Sequence, residues 1–439
     1  MTSRRTWIRS AVTALVLLPT AVVVGSIARA TAPESALSGW PRQLGTAETD
    51  YLGSVAVAPS GDVYVVGNTA GTIPGYAAAT GTDGFLARYD RYGRLKWMKN
   101  IGTDDWDGAD LVAVSGNSVY VMGFTVGAVP GGTHVGQEDM YVARFDTSGR
   151  RIWARQFGTT SFEVARSLIV SGGTIVALGT TNGVFEGTGR PGDNLDVFVA
   201  TLDTRGRLRS MRQFGTDFDD DPMSAAMSGG RIFLAGSTTG AFPGASNARG
   251  ARTAFVARID MRGAPKWVRQ FDPLEIGTDS LARGVAVSGT GVYVVGQGLG
   301  SFTDFTSAEK DGFVTRYDFA GNRQWFRQFG TSGSDTPQAV AVRQGRVYIT
   351  GSTTGSFPDF TNQGASDGFL ARFSTGGTPG SIRQFGTSGD DFATRIVLRR
   401  NDLYGGAVVI AGETSGTVWG QTREGSPSTD VFVWAAPGS

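Results

Sequence analysis

The chain has 439 residues, of which 65 are glycine, 40% are hydrophobic and none is cysteine. Lysine and arginine total 40, aspartate and glutamate total 39, and the formal net charge is +1. The lack of cysteine excludes disulfides, thiolate metal sites and a cysteine nucleophile. The even charge gives no electrostatic case for binding nucleic acid or an anionic membrane surface.

The N-terminal segment has the features of a signal peptide. Arg4, Arg5 and Arg9 form a positive region, residues 11–24 are an apolar run too short to span a bilayer comfortably, and residues 28–30 read Ala-Arg-Ala. We therefore predict a signal peptide over residues 1–30, cut after Ala30, and a linker over 31–39. The protein is then secreted, either extracellular or at the cell surface. A membrane anchor is the alternative for this segment.

A repeat fills the rest of the chain. Its copies begin at nearly constant intervals, at Trp40, Trp97, Trp153, Ser210, Trp267, Trp325 and Ser381. Each copy contains four short apolar segments, which in the first copy are residues 40–44, 54–57, 63–66 and 85–89. The segments have the length of strands, are rich in Val, Phe, Tyr and Ile, and are separated by glycine or aspartate turns.

Four strands per unit and seven units predict an all-β, seven-bladed β-propeller over residues 40–439, with four antiparallel strands in each blade. We name the strands A to D, from the innermost segment (54–57 in the first copy) to the outermost, which begins near Trp97. On this scheme residues 40–44 form a D strand without a blade, and residues 431–434 form a C strand without a D strand. We expect the two to pair and close the ring, because closure removes exposed sheet edges.

One consensus recurs through the copies. It reads Asp-Gly-Phe-Leu-Ala-Arg-Tyr-Asp over residues 83–90, followed by Gly93, Trp97, a Gly-Thr…Asp loop and runs such as Val-Tyr-Val-Val-Gly. This consensus resembles the SBBP-type bacterial β-propeller repeat, over residues 40–435. The resemblance implies a seven-bladed fold in a secreted or surface bacterial protein, and it implies no activity. The Asp-Gly-Trp spacing is also similar to the tryptophan-docking repeat of PQQ quinoproteins, but those typically carry eight blades and adjacent cysteines.

An acidic residue recurs five positions after the glycine of each Gly-Thr pair, in the loop before strand A. Its members are Asp50, Asp107, Asp220, Asp335 and Asp391, with Glu163 in the third copy. The favoured interpretation is a loop clamp, in which the carboxylate accepts backbone N–H bonds. The alternative is a ring of carboxylates that binds calcium. No other metal and no cofactor is predicted.

Basic and aromatic residues also recur in the outer strands. An arginine recurs in strand C, and a second basic series runs through strand D at Arg42, Lys99, Arg155, Arg212, Arg269, Arg327 and Arg383. We predict that these side chains bond one blade to the next, and that the repeated tryptophans pack between outer strands. Ser210 and Ser381 replace the tryptophan in two copies, where the packing should be looser.

The B-to-C and D-to-A loops should lie at one end of the propeller, because neighbouring strands alternate in direction. We call this end the long-loop face and expect recognition there. Residues on it that depart from the repeat are the candidate ligand-binding residues: Trp106, Asp217, Asp219, Asp221, Asp272 and Glu275. An exposed tryptophan beside carboxylates is suited to stacking on a sugar ring, whereas a solvated acidic surface is the alternative for the acids.

These features predict a monomeric, non-enzymatic module that binds protein or carbohydrate through the long-loop face. One alternative is a secreted carbohydrate-active hydrolase or lyase that uses paired loop carboxylates. Another is a structural cell-surface module without a ligand. Neither nucleic acid nor an integral membrane segment remaining after signal cleavage is expected.

Overall fold

The computed structural model describes residues 41–46, 48–73, 75–76, 81–188, 194–245, 251–271, 279–289, 291–299, 309–399, 408–417 and 429–436. Within these ranges the chain is all β, with 28 strands and no helix. It follows that none of the described residues forms a helix that could cross a membrane. The predicted signal peptide, the linker and Trp40 lie outside the described residues.

The strands form seven four-stranded antiparallel sheets. In the order A to D, blade 1 consists of β2 (Asp50–Val57), β3 (Val63–Thr69), β4 (Asp83–Tyr89) and β5 (Leu95–Ile101). Blade 2 consists of β6 (Leu111–Ser115), β7 (Ser118–Thr125), β8 (Asp139–Asp146) and β9 (Arg151–Phe157). Blade 3 consists of β10 (Glu163–Ser171), β11 (Thr174–Thr181), β12 (Asp196–Asp203) and β13 (Leu208–Phe214). Blades 4 and 5 consist of β14 (Asp220–Ser228), β15 (Arg231–Thr238), β16 (Thr253–Ile259) and β17 (Pro265–Phe271); and β18 (Ser280–Ser288), β19 (Gly291–Leu299), β20 (Lys310–Asp318) and β21 (Arg323–Phe329). Blades 6 and 7 consist of β22 (Asp335–Arg343), β23 (Arg346–Thr353), β24 (Asp367–Ser374) and β25 (Pro379–Phe385); and β26 (Asp391–Leu398), β27 (Val408–Thr414), β28 (Asp430–Ala436) and β1 (Pro41–Leu44).

The predicted seven-bladed propeller is confirmed, together with the order of strands from A to D. The A strand of each blade contacts the A strands of both neighbouring blades, and β26 of the last blade contacts β2 of the first. The A strands therefore form a closed inner circle, around which the other strands radiate.

Burial follows the position of a strand within its blade. Strands B and C are buried on both faces, as in β3, where Val63, Tyr64, Val65 and Val66 are all inaccessible to solvent. Strand D is the outer edge of each blade and is half-exposed, as in β5. A blade is sandwiched between two others, so its middle strands need apolar residues at successive positions, which is the pattern that the sequence carries.

The ring closes by pairing the first described strand with the last. Pro41 of β1 lies opposite Trp434 of β28, and Leu44 lies opposite Val431. Arg42 also donates a hydrogen bond from Nε to the carbonyl oxygen of Gly93 in blade 1, at 2.7 Å. The predicted closure is thus confirmed, and blade 7 is assembled from segments that lie far apart in the sequence.

Each tryptophan of strand D docks on the C-to-D turn of the next blade. The indole N–H donates to a turn carbonyl in all four described cases: Trp97 to Thr147 (3.3 Å), Trp153 to Thr204 (3.2 Å), Trp267 to Phe319 (3.1 Å) and Trp325 to Thr375 (3.2 Å). In three of these four cases an arginine two positions later reaches the turn glycine, as when Arg269 Nε donates to the oxygen of Gly321 at 3.0 Å. The predicted bonding between blades is confirmed for these residues.

Serine replaces the strand D tryptophan in two copies, and the structural reason differs between them. Ser210 of blade 3 is 2.6 Å, oxygen to oxygen, from Thr201, the residue that replaces the strand C arginine of that blade. The tryptophan and its arginine neighbour are therefore replaced together by a hydrogen-bonded pair. Ser381 of blade 6 faces blade 7, whose C and D strands are not consecutive in the chain. That blade has no C-to-D turn on which a tryptophan could dock.

Candidate functional site

Backbone hydrogen bonds tie the B-to-C loops to the D-to-A loops, as the long-loop face requires. The N–H of Asp107, at the end of a D-to-A loop, donates to the oxygen of Thr82, at the end of a B-to-C loop, at 3.0 Å. Asp391 makes the same bond to Ser366 at 2.8 Å. The two sets of loops therefore lie at one end of the propeller, as predicted.

The recurring acids of the D-to-A loops are buried and clamp their own loops. Asp335 Oδ2 accepts hydrogen bonds from the backbone N–H of Thr331 at 2.6 Å and from its hydroxyl at 3.1 Å. Asp50, Asp107, Asp220 and Asp391 accept the same backbone bond from the threonine four residues earlier, and Glu163 accepts it through its longer side chain. The loop-clamp interpretation is confirmed for all six residues.

Each clamping acid also faces a buried aspartate at the start of strand C in the preceding blade. The six pairs are Asp430–Asp50, Asp83–Asp107, Asp139–Glu163, Asp196–Asp220, Asp311–Asp335 and Asp367–Asp391. The strand C aspartate in turn accepts a hydrogen bond from an amide side chain of strand D, such as Gln328 to Asp311 at 2.8 Å. In five of the six pairs the loop glycine lies against both carboxylates, so the pairs form part of the junctions between blades.

Burial and mutual repulsion disfavour ionisation within these pairs. Burial raises the pKa of Asp335 to about 6, and the nearby carboxylate of Asp311 adds to the rise. Burial raises the pKa of Asp220 to about 6 as well, with a smaller contribution from Asp196. The pKa values of Asp50, Asp83, Glu163 and Asp391 are also raised, chiefly by burial. One acid in each pair therefore binds a proton more tightly than a free carboxyl group does.

Calcium binding at the recurring acids stays a prediction. In the described ranges, no group of three or more acidic or histidine side chains is arranged to hold a metal ion. The acids occur as pairs, and threonine donors already occupy one oxygen of the clamping residue. A hard cation such as calcium takes six to eight oxygen ligands, so each pair would supply only a small part of such a shell.

The sequence analysis identified the loop acids, and the repeat consensus begins at the strand C aspartate Asp83, but neither pattern showed that the two kinds of acid pair. The sequence does carry one sign of this pairing, because both acids are absent from the same junction. Between blades 4 and 5 the positions are Thr253 and Ser280, both uncharged, and the Ser280 hydroxyl accepts the N–H of Ala254 at 2.9 Å. If only one acid were replaced, the other would lack the paired carboxylate that it has at the remaining junctions. The replacement of both acids at the same junction is therefore the pattern expected of two residues in contact.

The acid-rich loop before blade 4 is held by internal contacts. Asp219 Oδ1 accepts the N–H of Leu195 at 3.0 Å, and Asp221 forms an ion pair with Arg166 at 2.9 Å. Asp217 is exposed, and its backbone oxygen accepts a hydrogen bond from Asn194 at 2.8 Å. Asp219 and Asp221 are thus engaged with the protein itself. The other two acidic candidates, Asp272 and Glu275, lie outside the described residues.

Trp106 stands at the long-loop face, where its side chain is 60% exposed. The indole edge packs over Gly81 of the adjacent B-to-C loop, so closely that any side chain at Gly81 would collide with the ring. The exposed Asp104 and Asp105 precede it in the same loop. The ring is therefore held in place by its edge while much of its surface remains open to solvent.

Three described aromatic side chains besides Trp106 are exposed at this end of the propeller. Tyr51 and Phe392 are the second residues of the A strands of blades 1 and 7, and Phe218 lies in the loop before blade 4. Their exposed fractions are 52%, 40% and 58%. Because blades 7, 1 and 2 are consecutive in the ring, Phe392, Tyr51 and Trp106 mark one sector of the long-loop face. The sequence alone did not identify these three residues, because it does not distinguish an exposed aromatic residue from a buried one.

Charged residues that are present in one blade and not in the others lie on or beside the inner strands, and the repeat pattern does not reveal them. Arg395 of β26 is enclosed near Asp110 and Glu413, and burial lowers its pKa while both acids oppose the change. Glu413 accepts the N–H of Leu52 at 3.0 Å, and Asn68 donates to Asp110 at 3.2 Å. These contacts join blades 7, 1 and 2 close to the axis of the ring.

The described part of the chain contains a cavity that is too small for an organic ligand. It has a volume of about 10 Å³ and lies between blades 1 and 2, lined by residues that include Asp107, Tyr141 and Arg151. Such a volume accommodates about one water molecule. A water there would reach the otherwise unpartnered Oδ1 of Asp107. The cavity is thus suited to a structural water.

Comparison with known proteins supports the repeat assignment. The profile of the SBBP β-propeller repeat matches residues 324–358, which run from strand D of blade 5 through strands A and B of blade 6. The regulatory protein FlaEY of Caulobacter vibrioides is 23% identical over 407 residues, a match that covers 86% of this chain. It covers 38% of FlaEY, so this chain spans well under half the length of that relative.

Two solved structures illustrate the similarity in three dimensions. The polysaccharide lyase Uly1 has a TM-score of 0.49 and 9% identity, with 88% of this chain and 90% of the lyase aligned. The N-terminal domain of Nup159 has a TM-score of 0.45 and 10% identity, with 90% of this chain and 93% of the domain aligned. The chain is thus a β-propeller of seven closed blades, one stretch of which matches the SBBP β-propeller repeat.

Proposed function

We propose that this chain is a secreted, non-enzymatic module that binds a protein partner through its long-loop face. The observation that carries the proposal is the exposure of Phe392, Tyr51 and Trp106 on three consecutive blades, with Phe218 further round the same face. Exposed aromatic residues at one end of a rigid scaffold are typical of the energetic centre of protein interfaces.

The surroundings of these aromatics favour binding over catalysis. A glycosidase needs two carboxyl groups about 5 to 9 Å apart beside a bound sugar. The recurring acids are buried in loop clamps, and Asp221 is paired with Arg166. FlaEY, the matched relative, is named a regulatory protein, which agrees with a role in recognition.

A carbohydrate is the second candidate ligand, and Trp106 is the observation that favours it. Its ring is fixed against Gly81, remains 60% exposed and follows two exposed carboxylates. Aromatic faces stack on the apolar face of sugars. A carbohydrate site would depend on Trp106, whereas a protein interface would extend over several blades.

Site-specific photocross-linking tests the proposal. A photoreactive residue is placed at Phe218 or Phe392 on the long-loop face, and at Tyr92 on the opposite face as the matched control. We expect a discrete protein adduct from the first two positions that unlabelled protein competes away, and none from Tyr92. Adducts of equal yield from both faces, or none at any position, would refute the protein interface.

Substitution then separates the two ligands. Replacing Tyr51, Trp106, Phe218 and Phe392 by serine should weaken partner binding at least 100-fold, because a central interface aromatic commonly contributes about 2 kcal/mol. If Trp106→Ser alone abolishes binding to a glycan while Phe218→Ser has no effect, the carbohydrate candidate replaces the protein.

A further inference from the structure

The even charge of the whole chain conceals a separation of charge between the two ends of the propeller. On the long-loop face the exposed charged residues are mostly acidic, and include Glu48, Asp104, Asp105, Glu186, Asp217 and Asp359. The exposed basic residues described on that face are Arg252 and Lys310. The opposite end carries the A-to-B and C-to-D turns, and we call it the turn face. Its exposed charge has the other sign.

The turn face is basic throughout blades 1 to 3. Over residues 90–96, 146–152 and 203–209, every exposed charged side chain is a lysine or an arginine. The acids in these stretches, Asp90, Asp146 and Asp203, are half-buried and cap their own turns. Asp90 Oδ1, for example, accepts the N–H groups of Tyr92 and Arg94 at 2.9 and 3.0 Å. Asp146 and Asp203 also form ion pairs with Arg150, Arg207 and Arg209 at 2.7 to 3.1 Å. Eight exposed basic residues against these three acids leave the three stretches with a net positive charge.

Apolar side chains alternate with the basic ones on the same turns. Tyr92 and Leu95 in blade 1, Ile152 in blade 2 and Leu208 in blade 3 are each between two-fifths and just over half exposed. Leu95 is followed by Lys96, Ile152 is preceded by Arg151, and Leu208 lies between Arg207 and Arg209. Equivalent turns of consecutive blades lie at the same level of the ring, so these side chains present a single edge.

We propose that the turn face of blades 1 to 3 docks on an anionic phospholipid bilayer. Basic residues near such a surface are attracted to its headgroups, and exposed apolar side chains beside them enter the boundary between headgroups and acyl chains. A soluble polyanion would match the charge but would leave Leu95, Ile152 and Leu208 in water. The docking is peripheral and requires no membrane-spanning segment.

This inference is independent of the proposed function, because it concerns the opposite face. A propeller that lies with its turn face on a membrane presents the long-loop face, and the aromatics on it, to the surrounding solution. The two faces can therefore be tested by separate variants, each of which is the control for the other.

Vesicle flotation tests the docking. The exported chain, shown by mass spectrometry to lack its signal peptide, is mixed with vesicles of phosphatidylcholine alone or of phosphatidylcholine with phosphatidylglycerol. We expect flotation only with the anionic vesicles, and a loss of flotation when the salt concentration is raised from about 0.1 to about 0.5 M, since salt shortens the range of electrostatic attraction. Equal flotation with both kinds of vesicle, or none with either, would overturn the proposal.

Three variants assign the binding to this face. Replacing Lys96, Arg151 and Arg205 by serine should lower the partition coefficient about 100-fold, since each basic residue near an anionic surface contributes about fivefold, the equivalent of about 1 kcal/mol. Replacing Leu95, Ile152 and Leu208 by serine should lower it at least tenfold while leaving the salt dependence in place. Replacing Arg252 and Lys310 on the long-loop face should change nothing.

A competing outcome would identify a soluble polyanion instead. If the apolar variant floats as well as the unaltered chain, and heparin or DNA binds both equally, then the surface recognises charge alone and the bilayer proposal fails. All substituted side chains are exposed, so a thermal melt should confirm that each variant remains folded.

Discussion

Asp311 of blade 5 and Asp335 of blade 6 lie on either side of Gly330, close enough that a methyl group on that glycine would meet Asp335 Oδ2 at 2.6 Å and Asp311 Oδ1 at 2.7 Å. Both aspartates are fully buried. Equivalent pairs occur at five further junctions around the ring. The propeller thus repeats, at nearly every junction between blades, a contact that is unfavourable when both partners are ionised.

The stability of the protein should therefore rise on mild acidification. A carboxyl whose pKa is raised by folding binds a proton more tightly in the native state than in the unfolded chain, so the free energy of unfolding falls as the pH rises through the interval between the two values. For Asp220 and Asp335 that interval runs from the unfolded value near 4 to about 6. We expect urea midpoints to be higher at pH 4.5 than at pH 7.5.

The turn aspartates limit how far a decrease in pH can stabilise the protein. Hydrogen bonds from the turn lower the pKa of Asp203 and Asp318, and the Lys266 ammonium together with turn N–H groups lowers the pKa of Asp260. Their contribution to stability is present above the unfolded pKa near 4 and is lost as the pH falls below it. A midpoint that rises steadily from pH 4.5 to pH 7.5 would contradict the assignment of the raised pKa values to the buried pairs.

Removing one charge from a pair should stabilise the protein at neutral pH. In Asp335→Asn the amide oxygen can still accept the bonds from Thr331, and the repulsion from Asp311 disappears. We expect the free energy of unfolding at pH 7.5 to rise by roughly 1 to 3 kcal/mol, with little change at pH 4.5. The matched control is Asp318→Asn, a turn acid of lowered pKa, which should be neutral or destabilising at pH 7.5. Stabilisation by both variants would indicate an effect unrelated to the pairs.

Tryptophan docking predicts that removing a docked tryptophan greatly lowers the free energy of unfolding, whereas adding a tryptophan at Ser381 does not raise it. Trp267→Ala removes the N–H bond to Phe319 and the packing on Gly321, and should lower the free energy of unfolding by about 2 to 4 kcal/mol. Ser381→Trp restores the repeat consensus in blade 6 but faces a blade without a C-to-D turn, so we expect no gain. Chemical denaturation compares the two. A clear stabilisation by Ser381→Trp would show that docking does not depend on the turn.

The closure of the ring can be tested by its register. Leu44 lies opposite Val431, and the chain has no native cysteine, so Leu44→Cys with Val431→Cys should form a disulfide on mild oxidation. The cross-link should raise the free energy of unfolding by roughly 3 to 5 kcal/mol, because it restrains a very long loop in the unfolded chain. The register control pairs Leu44→Cys with Phe432→Cys, whose side chains point to opposite faces. Efficient oxidation of that control would contradict the pairing.

Export should remove the segment that ends at Ala30. The positive region, the apolar run and Ala-Arg-Ala at residues 28–30 predict a mature chain that begins at Thr31. Intact-mass measurement of protein from the culture medium or cell surface checks this. Ala30→Arg should block cleavage and leave a longer, membrane-associated form, whereas Pro33→Arg, beyond the cut, should have no effect. A mature protein that keeps Met1 would identify the segment as an anchor.

Repetition let the sequence alone predict most of the fold. Seven copies of one pattern average out the uncertainty of any single strand, so the four strands per blade and the pairing of residues 41–44 with 431–434 followed from spacing. The clamping role of acids such as Asp335 also followed, because a short side chain beside a turn has few other partners. A residue present in every blade is governed by blade construction, and spacing along the chain is enough to reveal it.

Tertiary structure decided which acids of neighbouring blades lie in contact and how charge is distributed in space. The sequence contains no distance between Asp311 and Asp335, which belong to different blades, and so could not reveal the raised pKa of Asp335. Nor could it separate the acidic long-loop face from the basic turn face, because a sum over 40 basic and 39 acidic residues carries no information about direction. Composition fixes the total charge, whereas the alternation of strand direction assigns each charge to one end of the ring.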